Sequence, residues 1–415
     1  MNRISTNMPN DNMQFFLRER TRAMEHLQNQ VATQSRIQNL RDDPLSAAHS
    51  TRYRSYRVRL ERYGENMQTI MSRNQIVEGN LQHGTDMIQR ARELAVQAAN
   101  GTYTREDLRH MAVEVNEILE QMVEIANSRG SDGTAIFGGD RTNVLPFRPL
   151  TGSAGAGESS RITEVQYRGT INRQASEVSE NSFIETNFPG NSVFWSENQR
   201  ITSRVDARDY LVAEHGSFSV NGVEVPVREG DTVYSVIARI NDSGAPVRAR
   251  LDPVFSGIVL ETTTPQQLWL EEGPNSTVLQ DLGLLRGATD PPPANIAPDA
   301  QVAGGSVFDA LISLRDQMYA GDQEAIGSRG ILGMDTSLDA MTGTLGRIGA
   351  VNARLEGSWA RNEGEILFVR GQDSRNTDVD FAEAVTELRM LEATHRAALS
   401  VSARIMQPTL LDFLR

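Results

Sequence analysis

Apolar side chains recur in this chain at alternating steps of three and four over several long stretches, and that spacing predicts helices with one apolar face. In the closing stretch Phe381, Val385, Leu388, Leu391, Ala398, Val401 and Ile405 keep the step, with His395 filling the one gap. Thr377, Asp378 and Asp380 ahead of it read as an N-cap and first-turn acids. Near the other end, between Asn12 and about Leu40, Met13, Leu17, Met24, Leu27 and Val31 make a second, thinner stripe. Neither stripe is broad enough for its burial to offset the cost of ordering the backbone beneath it. Both ends, including Leu410 and Leu414, are therefore read as an assembly interface whose apolar faces are completed by neighbouring chains.

The strictest periodicity lies inside these ends. Leu60, Tyr63, Met67, Ile70, Asn74, Val77, Leu81, Gly84, Ile88, Ala91, Ala95 and Ala98 form a heptad seam, closed by Asn100-Gly101. Thr104 with Asp107 reads as a helix cap, and the helix it opens carries Leu108, Met111, Val115, Ile118, Met122 and Ile125. The short turn before it predicts that the two helices fold back antiparallel. A matching seam follows a short helix over Val307, Leu311, Leu314 and Met318. It runs Ile331, Met334, Leu338, Met341, Leu345, Ile348, Asn352, Leu355, Trp359, Asn362, Ile366 and Val369. Asn74, Asn352 and Asn362 are polar positions within apolar rows, a device that fixes register.

Between the seams the pattern changes period. Turn-rich stretches follow Gly130, and residues 151–157 are a glycine-rich loop. Phe218, Val220, Val223 and Val225 flank Asn221-Gly222, a strong hairpin signal. Asp231 or Thr232 opens a short helix, and Val247 to Leu251 and Ile258 to Thr262 read as two strands about Ser256-Gly257. These make a ββαββ module within residues 216–285, and Pro291-Pro292-Pro293 closes the insertion.

The expected fold is mainly α with a β-rich insertion: a long antiparallel, coiled-coil-like helix bundle built from both chain ends. Residues 1–43 with 371–415 would form the assembly part. Residues 44–145 with 303–370 would form the rod, and 146–302 the β-rich insertion.

Composition narrows the chemistry. The 415 residues carry a net charge of -13, which argues against nucleic acid as a general partner. Arg52, Arg54, Arg57, Arg59 and Arg62 are a local exception and read as a solvated or intersubunit helix face. The chain has no Cys and no Lys, so thiolate metal sites, Walker A loops and Schiff-base chemistry are all excluded. Its six His show no metal-pair spacing. No catalytic, metal or cofactor site is expected. No apolar run reaches the length of a membrane span, and the N-terminus lacks the apolar core of a cleaved signal.

The short motifs at both ends resemble the bacterial flagellin family. They are Ile4-Ser5-Thr6-Asn7-Met8, Val31-Ala32-Thr33, Arg36-Ile37 and Asp42-Asp43-Pro44 at one end. At the other are residues 378–384, beginning Asp378-Val379-Asp380-Phe381, and the closing Leu410-Leu411-Asp412-Phe413-Leu414. Asp42-Asp43-Pro44 and that closing run are more like a hook–filament junction protein than a filament flagellin. Ile136-Phe137-Gly138-Gly139 and Tyr167-Arg168-Gly169 are similar to internal marks of the same subfamily. The resemblance implies a structural adaptor exported unfolded by the flagellar type III route with an export chaperone. It further implies a ring of copies between hook-associated protein 1 and flagellin, in a flagellum that is extracellular or periplasmic. A filament flagellin and a secreted coiled-coil translocator are the alternatives.

Overall fold

A computed structural model describes the backbone over residues 8–152, 160–287 and 290–405. Three helices come first, α1 (Met8–Thr33), α2 (Pro44–Ala98) and α3 (Arg105–Ala126). The β-rich stretch holds β1 (Phe147–Gly152), β2 (Arg161–Tyr167), β3 (Ala175–Ser179), β4 (Ser182–Glu185), the turn α4 (Gly190–Val193) and β5 (Arg200–Thr202). It continues with β6 (Gly216–Val220), β7 (Val223–Val227), α5 (Val233–Asp242), β8 (Val247–Leu251), β9 (Ile258–Thr262), β10 (Leu270–Glu272), the turn α6 (Val278–Asp281) and β11 (Gln301–Ala303). Helices then return as α7 (Val307–Ala320), α8 (Gln323–Ala325), a π-helical turn (Ile326–Gly330), α9 (Ile331–Thr377) and α10 (Phe381–Ile405). The expected class, mainly α with a β-rich insertion, is the observed one. The chain divides into two compact units, Asn66–Ser358 and Met1–Glu65 with Trp359–Arg415.

Within Asn66–Ser358 the seams read from the sequence are the core. Val77, Leu81 and Ile88 of α2, Val115, Ile118 and Met122 of α3, Leu311, Leu314 and Met318 of α7, and Met334, Met341 and Ile348 of α9 are all buried together. Capping fixes where the shorter helices begin. Thr104 and Asp107 exchange side-chain and backbone hydrogen bonds in a capping box at α3, and Ser306 with Asp309 repeats it at α7. Gly321, at φ 73°, closes α7 in the left-handed region that a side chain disfavours. Asn74 on α2 meets Asn352 on α9, while Arg92 of α2 pairs with Asp335 of α9, so the two helices run antiparallel here.

An aromatic cluster covers one end of that core. Phe147 stacks obliquely or edge-on against Tyr167, Phe194 and Phe308, with ring centroids 5.1 to 5.2 Å apart. The Tyr167 hydroxyl sits among backbone groups, 3.0 Å from the Phe137 carbonyl and 2.8 Å from that of Thr170, and accepts from the Gly190 N–H at 3.2 Å. Burial pushes the phenol pKa up, so the hydroxyl stays a donor. The motif Ile136-Phe137-Gly138-Gly139 is thus tied to Tyr167-Arg168-Gly169. Gly139 is held at φ 70°, and a Cβ there would lie 2.2 Å from the Thr170 carbonyl oxygen.

The β-rich part has a core of its own, formed by residues including Phe218, Val236, Ile240, Ile258, Leu260 and Leu279. The hairpin turns fall where expected: Asn221 and Gly222 take φ 50° and 79°, as a two-residue turn of this hand requires. Thr232 caps α5, accepting from the Ser235 N–H. The module is nevertheless split between two sheets. β6 and β7 join β10 in one, ordered β10-β6-β7, and β8 and β9 join β5 and β11 in the other, ordered β11-β5-β9-β8. The sequence reading did not include β5 and β11, because strands of three residues carry no measurable alternation.

Candidate assembly interface

In the unit made of Met1–Glu65 and Trp359–Arg415, α1 packs along α10. The Arg20 guanidinium donates to the Thr394 carbonyl at 3.0 Å across the pair. Asn362 is buried and donates to the Leu60 carbonyl at 2.9 Å; Arg54 pairs with Asp373 at 3.3 Å, and Arg370 with Glu61 at 3.3 Å. Two members of the arginine cluster thus have acidic partners in this unit, since Arg57 also pairs with Glu61. Arg59 instead lies over the Tyr56 ring, 5.2 Å from its centroid.

One correction concerns how the closing helix starts. Thr377 is not its N-cap but the last residue of α9, and its hydroxyl donates back to the Asp373 carbonyl at 2.8 Å. The chain breaks over Asp378 and Val379, and Asp380 is the residue that caps α10, accepting from the N–H groups of Ala382 and Glu383 at 3.0 and 3.1 Å. The break exists because it is paired. The Arg36 N–H donates to the Thr377 carbonyl at 2.7 Å, and the Val379 N–H to the Gln34 carbonyl at 3.2 Å. An uninterrupted helix from Thr377 would have no amide free for Gln34.

The motif Asp42-Asp43-Pro44 sits beside this clasp. Asp42 closes the preceding turn by accepting from the N–H groups of Gln38 and Asn39 at 3.1 and 2.8 Å. Asp43 accepts from the Ser46 N–H at 3.0 Å and so caps α2, whose first residue is Pro44. Arg36 donates to Asp43 at 3.1 Å and to the Asn376 carbonyl at 3.0 Å. The Ser46 hydrogen bonds, with Arg36 behind them, hold the Asp43 pKa down at about 2.

The predicted interface residues fall into two groups. Leu27 is buried, and Met13, Leu17, Met24, Val385, Leu388 and Leu391 are half-buried. Phe381 and Val401, read as members of the same stripe, are 57% and 52% exposed. The covered row on α10 is instead Ala384, Leu388, Leu391, His395, Ala398 and Ser402. At 100° per residue, Phe381 and Leu399 fall about 60° to one side of that row. Met390 and Val401 fall about 110° to the other. Met390 is 68% exposed, and on α1 Phe15 and Phe16 are 59% and 64% exposed. The apolar arc of the pair is therefore wider than one partner helix can cover. The side chain of Ile405, and Leu410 and Leu414 altogether, lie outside the described residues.

Of the predicted seam, Leu60, Met67, Asn74, Val77, Leu81 and Leu355 are buried, and Leu338, Leu345 and Asn352 are half-buried. Trp359 is the exception. It is 37% exposed, whereas Asn362, the next position of the same predicted row, is buried. Among the described residues no helix is long and apolar enough to cross a membrane.

Comparison with known proteins agrees with the motifs. The bacterial flagellin N-terminal helical region matches residues 4–142. Flagellar hook-associated protein 3 of Salmonella typhimurium is 30% identical over 170 residues, which is 41% of this chain and 53% of that protein. Flagellin B of Vibrio anguillarum is 21% identical over 97% of this chain and 96% of its own length. A crystal structure of hook associated protein-3 from Legionella pneumophila aligns with a TM-score of 0.48 at 17% identity, over 78% of this chain and 97% of that one. The chain spans about half the length of the first curated relatives that it matches, from 41% to 53%. The chain is thus similar to bacterial flagellins over its N-terminal helical region. Hook-associated protein 3 is among the proteins it resembles, as the terminal motifs implied.

Proposed function

We propose that this protein is a structural adaptor of the bacterial flagellum, set at the hook–filament junction. The observation that carries the reading is the apolar arc on the α1–α10 pair. Phe15, Phe16, Phe381 and Met390 stand open on a pair whose covered row is only one face wide. Covering such side chains recovers burial free energy only when neighbouring copies supply the other walls. The protein would be exported by the flagellar type III route, with a chaperone shielding the terminal helix, and would order its ends fully on joining a ring of copies. Hook-associated protein 1 would lie on the hook side and flagellin on the filament side. Residues 1–43 and 371–415 would do the assembling, residues 44–145 and 303–370 would form the rod, and the β-rich stretch 146–302 would stay clear of the polymer.

The test is a deletion strain. The adaptor reading expects finished hooks without filaments, flagellin shed into the medium, and recovery on re-expression. Filaments of normal length in the deletion strain would contradict it. A filament flagellin is the second reading, favoured by the near full-length alignment with flagellin B. Antibody labelling separates the two: the adaptor marks a single band next to the hook, the flagellin the whole filament.

A further inference from the structure

Within Asn66–Ser358 a cavity lies between α9 and the loops that follow β4 and β9, made of two adjoining lobes of about 500 and 480 Å³ that share Arg173, Ser192, Thr344 and Arg347 in their walls. That is the size range of sites for small organic ligands. Arg173 and Arg347 line both lobes. Their charges are unequally satisfied. Arg173 is held by Glu185, donating at 2.9 Å to each carboxylate oxygen, whereas Arg347 donates to the Thr344 hydroxyl at 3.0 Å and forms no ion pair among the described residues. Burial, with the Arg173 cation beside it, pulls the Arg347 pKa down, so a bound anion there would relieve both effects.

The first lobe holds a second, independent sign of a ligand. Trp195 and Gln266 are more than nine-tenths buried and line it, yet the Trp195 indole N–H and the Gln266 side-chain N–H find no acceptor among the described residues. A buried donor without a partner costs about 1–3 kcal/mol, so such groups call for an acceptor. Asp339, on the rim of the same lobe, offers an acceptor to a ligand N–H. The second lobe is walled by apolar side chains, among them Phe183, Ile184, Phe188 and Val351. An anion-binding group, unpaired donors, a carboxylate acceptor and an apolar wall thus surround one space.

We infer that this cavity binds an N-acylated amino acid with an apolar side chain: its carboxylate on Arg347, its acyl oxygen on the Trp195 and Gln266 donors, and its side chain in the second lobe. Inorganic phosphate has the charge but neither the acyl oxygen nor the apolar body, and an uncharged ester lacks the charge.

The probe is N-acetyl-L-phenylalanine, titrated into the full-length chain labelled with 15N at tryptophan. The expected result is a saturable shift of the Trp195 indole N–H signal, with those of Trp269 and Trp359 unmoved. The methyl ester should bind at least about tenfold more weakly, as should the acid to R347M, the size of one charge-assisted hydrogen bond. Followed by titration calorimetry, since it lacks the reporting N–H, W195F should bind the acid more weakly by a smaller factor and keep its preference over the ester. A pentapeptide ending in phenylalanine distinguishes a chain terminus from a free metabolite as the source: binding favours the former, exclusion the latter. A Trp195 signal unmoved at about 10 mM acid would overturn the assignment. So would equal binding of the ester, or a matching shift by inorganic phosphate. The wild-type titration stands whether or not either variant folds.

Discussion

The Asn74 side-chain amide donates to the Asn352 side-chain Oδ1 at 2.7 Å, joining two polar positions that stand 278 residues apart in otherwise apolar rows. Asn74 is fully buried, so its partner is structural rather than incidental. Asn74→Ala should destabilise the chain by about 1–3 kcal/mol, the cost of leaving a buried group unpaired. Replacing both by leucine should restore or exceed the original stability while loosening helix register. Urea unfolding of the two single variants and the double variant checks this, and additive effects would show that the two residues do not interact.

The individual rows were legible in the sequence because α2 and α9 bury one face each at a helical period. What periodicity cannot carry is which polar residue answers which. Asn362 sits in the same row as Asn352 yet donates to the backbone of Leu60. The α9–α10 break was misread for a related reason. Thr377 and Asp380 are both good caps, and only the pairing of Thr377 and Val379 with the 34–36 segment selects the later one. The apolar arc was read as a single stripe because residues on either side of a helix seam satisfy the same three-four count. The cavity left no mark in the sequence, since its lining comes from segments far apart in the chain.

Asp43 should make the start of α2 sensitive to acid. Its folded pKa is depressed to about 2, so the contribution is complete above the ordinary carboxylate value and is lost as pH falls from about 4 through about 2. Amide exchange at Ser46 and Ala47 should accelerate over that window. Asp43→Asn keeps an acceptor without a titrating proton, and should flatten the response.

Exposed and covered apolar residues of the terminal pair should behave oppositely. Phe16→Ser and Met390→Ser should leave monomer stability within about 0.5 kcal/mol and impair incorporation into flagella. Leu27→Ala should cost about 2–4 kcal/mol in the monomer itself. Melting of purified chains alongside filament counts on complemented cells separates the two classes.

Tyr167→Phe removes only a hydroxyl, yet it takes that donor from the Phe137 and Thr170 carbonyls, and the Phe137 carbonyl keeps only the Gly190 N–H at 2.9 Å. A loss of about 1–3 kcal/mol is expected. Unchanged urea unfolding would contradict a structural role for the link between the two glycine-containing motifs.

Hydrogen exchange read by mass spectrometry bears most directly on the claim that the ends are completed by neighbours. In a dilute monomer, peptides from α1 and α10 should exchange far faster than those from α3 and α7, and in assembled flagella they should become as protected as that core. Equal protection of α1 and α10 in the isolated chain and in the assembly would mean that the exposed phenylalanines and methionine need no neighbour, against the account given.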